Sequence, residues 1–408
     1  MTPRPLMPVA EARQRILADL PTMSSEQVAL TQAHGRVLAS DVAARVTQPP
    51  LAVSAMDGYA VRAADVASVP VDLSIVGEVP AGGFHDGTLS PGEAVRIFTG
   101  AALPAGADAI VIQENTVRDG DTVTVNEGVA EGRYVRRAGL DFDKADVLLK
   151  AGKILSSRDI GLAAAMNHPW LQVRRKPRVA LLATGDEIKL PGEELGPTSI
   201  VSSNTFALEG LIRAAGGEPV TLGIAVDDVA AIRDLAKQAI GTDMLVTTGG
   251  ASVGEHDLVQ DALAELGLEL DFWQIAMRPG KPLMFGRLGD VPMLGFPGNP
   301  VSSMVCGVLF LIPALAQMLG TGKTEPQRET AILGTDLGKN DRREDYLRAT
   351  LSRDNGQLVA TPFPKQDSSM FSRLAAADCL LIREPHAEPA KAGTNVEIIR
   401  LSRSNLRI

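Results

Sequence analysis

Between residues 178 and 319, apolar runs of strand length alternate with stretches of helical length, and this alternation limits the fold more than any other feature. Strand candidates are 178–183 (RVALLA), 219–225, 243–248 (DMLVTT), 271–276 and 291–295; helix candidates are 203–215, 228–240, 257–266 and 300–318. Strands joined through helices run parallel, and the crossovers cover both faces of the sheet. The predicted fold class is therefore multidomain α/β plus β, centred on a three-layer α/β/α domain with a mostly parallel sheet. Ligands on such sheets sit at the carboxyl ends of strands, which directs attention to the loops after 183 and 248.

The flanks read differently. A chain of 408 residues exceeds one ordinary domain, so two to four are expected. Residues 8–20 put Val9, Ala12, Ile16 and Leu20 on one helical face. Ser24 with Gln27 three residues later predicts a second, capped helix ending before Gly35 and packing on the first. Over 51–135, Val/Ile runs at 71–76, 94–98, 108–113 and 121–125 alternate with Gly, Pro and Asp clusters, a pattern of small antiparallel β structure. A helix follows at 157–166, with Ser157 as its cap. After Gly322, β runs at 345–351, 357–361, 378–383 and 395–401 predict a C-terminal β domain. Residues 174–178 and 320–326 are plausible junctions.

Charge and cysteines exclude several functions. A net charge of −9 argues against a nucleic-acid surface, so an anionic ligand must be met by local cations and backbone N–H groups. Cys306 and Cys379 are the 2 cysteines and no C-x-x-C exists, which points to a reducing cytoplasm. Residues 1–20 carry Glu11, Arg13, Arg15 and Asp19 and lack the apolar core of a secretion signal. The charge-free stretch 291–322 has the length of a membrane span, but Ser302, Ser303, Gly307, Pro313 and Gln317 interrupt it. We read it as a buried core helix, with no membrane association.

Chemistry concentrates in loops. GTGKT (320–324) is not a phosphate loop, because Gln317 stands where such a loop needs its first glycine and the segment follows a helix. TTGGASVGEHD (247–257) leaves an apolar strand and enters a helix. Gly249, Gly250 and Gly254 there allow positive φ and close backbone approach, and Ser252 adds a hydroxyl. Such glycines suit an anion, although tight strand–helix turns also use them for packing. TGDE (184–187) ends the first strand, Asp227-Asp228 follows the second, and Asp257 lies beyond the third. Carboxylates from Asp186/Glu187, Asp227 and Asp257 around a phosphate loop suit Mg²⁺. The alternative is that Asp228 and Asp257 cap the helices that follow. MRPGKP (277–282) places Arg278 and Lys281 in one rigid turn, a fit for an oxyanion. In GFPGNP (295–300), Asn299 and Pro300 also form a cap and first-turn pair. The 5 histidines have no paired spacing, so zinc is not expected.

Together these segments resemble the molybdopterin molybdenumtransferase family, which includes the bacterial MoeA proteins and the E domain of gephyrin. SAMDGYAV (54–61) looks like its N-terminal signature and FTGAALPAGAD (98–108) like the next. TGDE, TTGG-x-SVG-x-x-D, MRPGKP and PGNPVS follow in family order. The resemblance implies an elongated homodimer of four-domain subunits: a discontinuous dimerisation domain (1–46 and 136–176), a small β-rich domain (47–135), an α/β molybdopterin-binding domain (177–324) and a C-terminal β-barrel-like domain (325–408). It implies a reaction in which molybdate and adenylylated molybdopterin give molybdenum cofactor and AMP with a divalent metal, taken as Mg²⁺.

By motif match, the resemblance makes Asp57, Thr99, Glu187, Asp227 and Asp257 catalytic, with Asp57 and Thr99 reaching the site across the dimer interface. Glu187, Asp227 and Asp257 would hold the metal. Substrate contacts would come from Gly249, Gly250, Ser252, Gly254, Arg136, Asp141, Arg278, Lys281, Pro297 and Pro300, and from Ser368 or Ser372. Locally, Asp57 also reads as a turn residue before Gly58. The sequence departs from the family at Gln274, where some members have Lys, at Ala251, and at Ser368-Ser369-Met370, which replaces a Gly-containing loop. Further partners would be other proteins of molybdenum-cofactor synthesis. The alternatives are the preceding adenylyl transfer to molybdopterin and a gephyrin-like scaffold. Half the chain outside the α/β region, and the retained acids, favour insertion.

Overall fold

The computed structural model describes residues 6–249 and 258–401. Its largest unit is a six-stranded mixed sheet in the order Glu218–Ala225, Arg178–Thr184, Met244–Thr248, Val291–Phe296, Met284–Leu288, Leu268–Phe272. The first four strands run parallel, and the last two are antiparallel to their neighbours. Strands covered on both faces are apolar at nearly every position, which is why RVALLA and DMLVTT are so uniform. Val179, Leu181, Val246 and Phe296 point into one core with Leu208, Ile212 and the helical segment 300–318. Ala180, Leu182, Leu245 and Met293 point into the other with Ile232, Ala236 and Val259. Fully burying one such Leu or Val contributes roughly 1.5–3 kcal/mol, so both faces are firmly held.

Two strand expectations change. The strand expected at 271–276 is Leu268–Phe272, set by its antiparallel register with Met284–Leu288. That partner strand was not anticipated, because Gly286 and Arg287 break its apolar run. Gly286 is there for contact: a Cβ would lie 2.4 Å from the Glu269 carbonyl oxygen. The charge-free stretch is a core element as expected. Pro300–Met318 has a mean hydropathy of 1.9 and is 72% buried. A π turn at Gly307–Leu311 precedes Pro313, the residue that removes a helical donor.

Val9–Ala18 is a helix whose Val9, Ala12 and Ile16 enter the first core of the large sheet. It packs on the helical segment 300–318, and the second helix expected after Ser24 does not form. Ser25–Ala29 is instead a strand paired antiparallel with Trp170–Arg174. The local Ser24/Gln27 signature loses to a tertiary pairing far along the chain, in which Gln27 faces Gln172. The helix Ser157–Ala165 is capped one residue earlier than expected. Ser156 is its cap, in a reciprocal capping box with Asp159.

Val53–Ser54 and Val135–Arg136 form a two-stranded ribbon at the base of the β-rich unit. Its six strands run in the order Ala109–Ile112, Gly58–Val61, Glu93–Ile97, Val71–Val79, Thr122–Val125, Thr116–Asp119. The sheet is mixed rather than antiparallel. Residues 80–92 carry the chain back across, so that Val71–Val79 and Glu93–Ile97 pair parallel. At the C-terminal end, Glu344–Asp354, Gln357–Pro362, Arg328–Leu333, Asn395–Arg400 and Cys379–Arg383 close a five-stranded barrel. Arg328–Leu333 was not anticipated. Met277–Arg278 adds to this barrel alongside Glu344 and Asp345, tying it to the α/β unit.

Candidate active site at the strand ends

The carboxyl ends of the parallel strands form a connected rim. Gly249, at φ +96°, follows Met244–Thr248, and a Cβ on it would lie 2.4 Å from the Thr184 carbonyl oxygen. A side chain is excluded there on two grounds, conformation and space. Gly298 approaches Gly249 so closely that its Cβ position is 3.6 Å from the Gly249 Cα. Asn204 pins the Gly298 carbonyl through its side-chain amide at 2.7 Å. The hydroxyls of Thr184, Thr247 and Ser303 are buried in this region and have no partner among the described residues. Buried polar atoms without partners are costly, so such a group of them fits a site completed by ligand or water.

The acids sit on the same rim. The Asp186 backbone N–H donates to Asp227 Oδ2 at 3.4 Å, and the Asp227 N–H donates to Asp186 Oδ1 at 3.0 Å. This reciprocal pair brings two strand ends together and leaves the second oxygen of each carboxylate without a bond among the described residues. Glu187 is exposed, and its carboxylate folds back over Gly185. Asp228 caps the next helix, accepting from the Ala231 N–H at 2.9 Å. Among the described residues no group of three or more acids, histidines or cysteines is close enough to hold a metal. Gly250, Ala251, Ser252, Gly254 and Asp257 lie outside the described residues.

Pro297 is buried and Pro300 is the first helical residue, but Asn299 makes no side-chain capping bond. The cap position was read correctly and its interaction was not. Beside this helix start, the Val301 N–H donates to the Ser368 carbonyl at 3.1 Å, docking the 366–369 loop of the barrel. Ser372 is exposed in the short helix Phe371–Ala375.

The residue that sequence reasoning missed is Arg348. Its side chain is the largest of the fully buried ones, at 1% exposure. It donates to the Asp367 carbonyl at 2.9 Å, has no ion pair among the described residues and leaves its Nε unpartnered. Burial weakens its hold on the proton. The available signal was an arginine at an inward position of an apolar strand, where a buried cation needs a reason.

Arg278 corrects the expectation of a free cation. Its guanidinium hydrogen-bonds Asp345 and also reaches Asn340 at 3.3 Å and Asp341 at 3.4 Å. Asp345 is buried, which raises its pKa against the opposing effect of Arg278. Lys281 is half-buried and lines an open cleft of about 550 Å³ with Leu6, Asp341, Arg342, Arg343 and His386. Arg136 is exposed on the ribbon, and Asp141 is exposed in a turn where its N–H donates to the Gln48 carbonyl.

Asp57 and Thr99 meet in the β-rich unit. Asp57 Oδ1 accepts from the Thr99 N–H at 2.7 Å and from its hydroxyl at 2.8 Å. The two bonds hold the Asp57 carboxyl below the usual carboxylate range. No hydrogen bond or ion pair among the described residues joins this pair to the rim of the large sheet.

This architecture defines a class: a multidomain protein with glycines gathered at the strand ends of an α/β sheet, together with a small β unit and a closed barrel. Three family models cover the chain in order, namely the MoeA N-terminal region, domains I and II (7–167), a probable molybdopterin binding domain (180–317) and the MoeA C-terminal region, domain IV (330–401). The chain belongs to the MoeA family. A protein of Nostoc named molybdopterin molybdenumtransferase is 37% identical over 86% of this chain and 85% of its own. Molybdopterin molybdenumtransferase 2 of Mycobacterium tuberculosis is 34% identical over 95% of this chain and 98% of its own. The crystal structure of a molybdopterin biosynthesis MoeA protein from Pyrococcus horikosii superposes with a TM-score of 0.86 at 31% identity, covering 98% of this chain and all of that one.

Proposed function

We propose that the protein is a molybdopterin molybdenumtransferase: it inserts molybdate into adenylylated molybdopterin, releasing AMP and forming molybdenum cofactor. The observation that carries this reading is a continuous chain of contacts at one crevice. It runs from Asp227 and Asp186 through Thr184, Gly249 and Gly298 to Val301, Ser368, Asp367 and the buried Arg348. Acidic oxygens, bare backbone and an uncompensated guanidinium are what a pyrophosphate beside a tetrahedral oxyanion requires. Full-length relatives that bear this enzyme's name support the same reading.

In this reading Gly249 and Gly298 let phosphate approach the backbone, and Arg348 with Lys281 holds molybdate. Gly250, Ser252 and Gly254 extend the phosphate loop. Asp57 and Thr99 enter from a second copy in a homodimer and orient the reacting groups. Asp186, Asp227 and Glu187 carry the hard carboxylate oxygens a divalent cation takes, but these three do not by themselves close a metal site. These residues, with Asp257, would hold Mg²⁺, which when bound neutralises phosphate charge.

The test is AMP release from adenylylated molybdopterin and Mg²⁺, with and without molybdate. Glu187→Gln controls for contaminating hydrolases. Molybdate-dependent release that is lost in the variant supports insertion. Release that ignores molybdate refutes it in favour of a pyrophosphatase, and tight binding without release points to the adenylyltransferase or a scaffold.

A further inference from the structure

One side chain touches both strands that carry Asp57 and Thr99. Arg96 lies on Glu93–Ile97, opposite Tyr59 of Gly58–Val61. Its Nη1 donates to the Gly58 carbonyl at 2.8 Å, one residue from Asp57. Its Nη2 donates to Gln113 Oε1 at 2.7 Å, and the Gln113 backbone N–H in turn donates to the Asp57 carbonyl at 3.1 Å. The guanidinium carbon sits 4.6 Å from the centre of the Phe98 ring, next to Thr99, and 5.3 Å from that of Tyr59. Arg96 thus holds the backbone that leaves Asp57, directly at the Gly58 carbonyl and through Gln113 at the Asp57 carbonyl, and stacks on the residue before Thr99.

Its electrostatics match its geometry. Among the described residues the partners of this guanidinium are neutral acceptors and aromatic faces, and no carboxylate pairs with it. The two bonds from Thr99 do most to hold the Asp57 carboxyl below its usual range, and the positive charge of Arg96 adds a smaller push in the same direction. Gly58 makes the arrangement tight, because a Cβ there would lie 2.0 Å from the Val111 carbonyl oxygen. Asp57 cannot relax by moving its own strand. Only one of its carboxylate oxygens is occupied by Thr99, so the other is presented in a direction set by this clamp.

We propose that Arg96 is the positioning residue of the Asp57–Thr99 pair, keeping the free oxygen of the Asp57 carboxylate aimed for the reaction. The proposal rests on the reading of Asp57 and Thr99 as part of the active site. A lysine would supply charge, but not a planar fork that bonds Gly58 and Gln113 together while stacking on Phe98.

The experiment uses the full chain with ¹³C-carboxyl-labelled aspartate, the Asp57 signal being assigned by its loss in Asp57→Asn. Its pH midpoint is read beside kcat and KM for AMP release. Arg96→Met is expected to raise the midpoint and lower kcat at least ~10-fold, with KM for adenylylated molybdopterin changed less than about threefold. Arg96→Lys is expected to keep the low midpoint while restoring kcat only in part. Should Arg96→Met not fold, Gln113→Leu removes one tine of the fork and is expected to lower kcat about threefold or more at unchanged KM. Wild-type midpoint and kcat in the Met variant, or full recovery of kcat in the Lys variant, overturns the proposal. If Asp57→Asn itself keeps wild-type kcat, the active-site reading fails instead, an outcome distinct from any effect of Arg96 on the Asp57 signal.

Discussion

Removing Arg278 exposes the difference between a structural cation and a ligand-binding one. Asp345 is 3% exposed, and the cation that hydrogen-bonds it is Arg278, whose side chain remains 47% exposed. Breaking a fully buried pair by deleting one partner costs about 3–5 kcal/mol. Because half of the guanidinium is in water, we discount this to about 2 kcal/mol for Arg278→Met. The sign follows from linkage. Asp345 already titrates above its ordinary 3.8 when folded, so its contribution is fully present below that value and is lost as pH rises through the folded pKa. In the variant the folded pKa is higher still, so the loss is larger and extends to higher pH. Thermal unfolding of both proteins at pH 4, 5.5 and 7.5 should give nearly equal stabilities at the lowest pH and the full deficit at the highest. Adding Asp345→Asn to the variant should flatten that dependence. A deficit of equal size at every pH, or one that Asn does not change, would refute the reasoning.

Arg348→Met should behave in the opposite way. Replacing a buried, unpaired cation by an apolar side chain of similar length leaves stability unchanged or about 1 kcal/mol higher, while KM for molybdate rises at least ~10-fold; denaturation and steady-state AMP release separate the two effects. Gly249→Ala forces a Cβ against the Thr184 carbonyl at φ +96°, costing about 1–3 kcal/mol and slowing turnover, and the same two assays check it. Ser156→Ala removes the hydroxyl that accepts from the Asp159 N–H while leaving the backbone half of the capping box, and should lower stability by about 1 kcal/mol without touching kcat.

What the sequence determined by itself follows from local chemistry. Uniform apolar runs fixed Arg178–Thr184, Met244–Thr248 and Val291–Phe296 as buried strands, and heptad-like spacing fixed the core face of Val9–Ala18. Glycines after strands marked the rim, because positive φ and missing Cβ atoms are properties of one residue type. Tertiary structure decided whatever depends on a partner far along the chain. Ser25–Ala29 is a strand only because Trp170–Arg174 lies beside it, and Met284–Leu288 is one because Gly286 admits the Glu269 backbone. Arg278 and Arg348 look equally cationic in sequence. Folding pairs the first with Asp345 and leaves the second buried without a counter-ion, since charge compensation is set by distance in space and not by the spacing of residues.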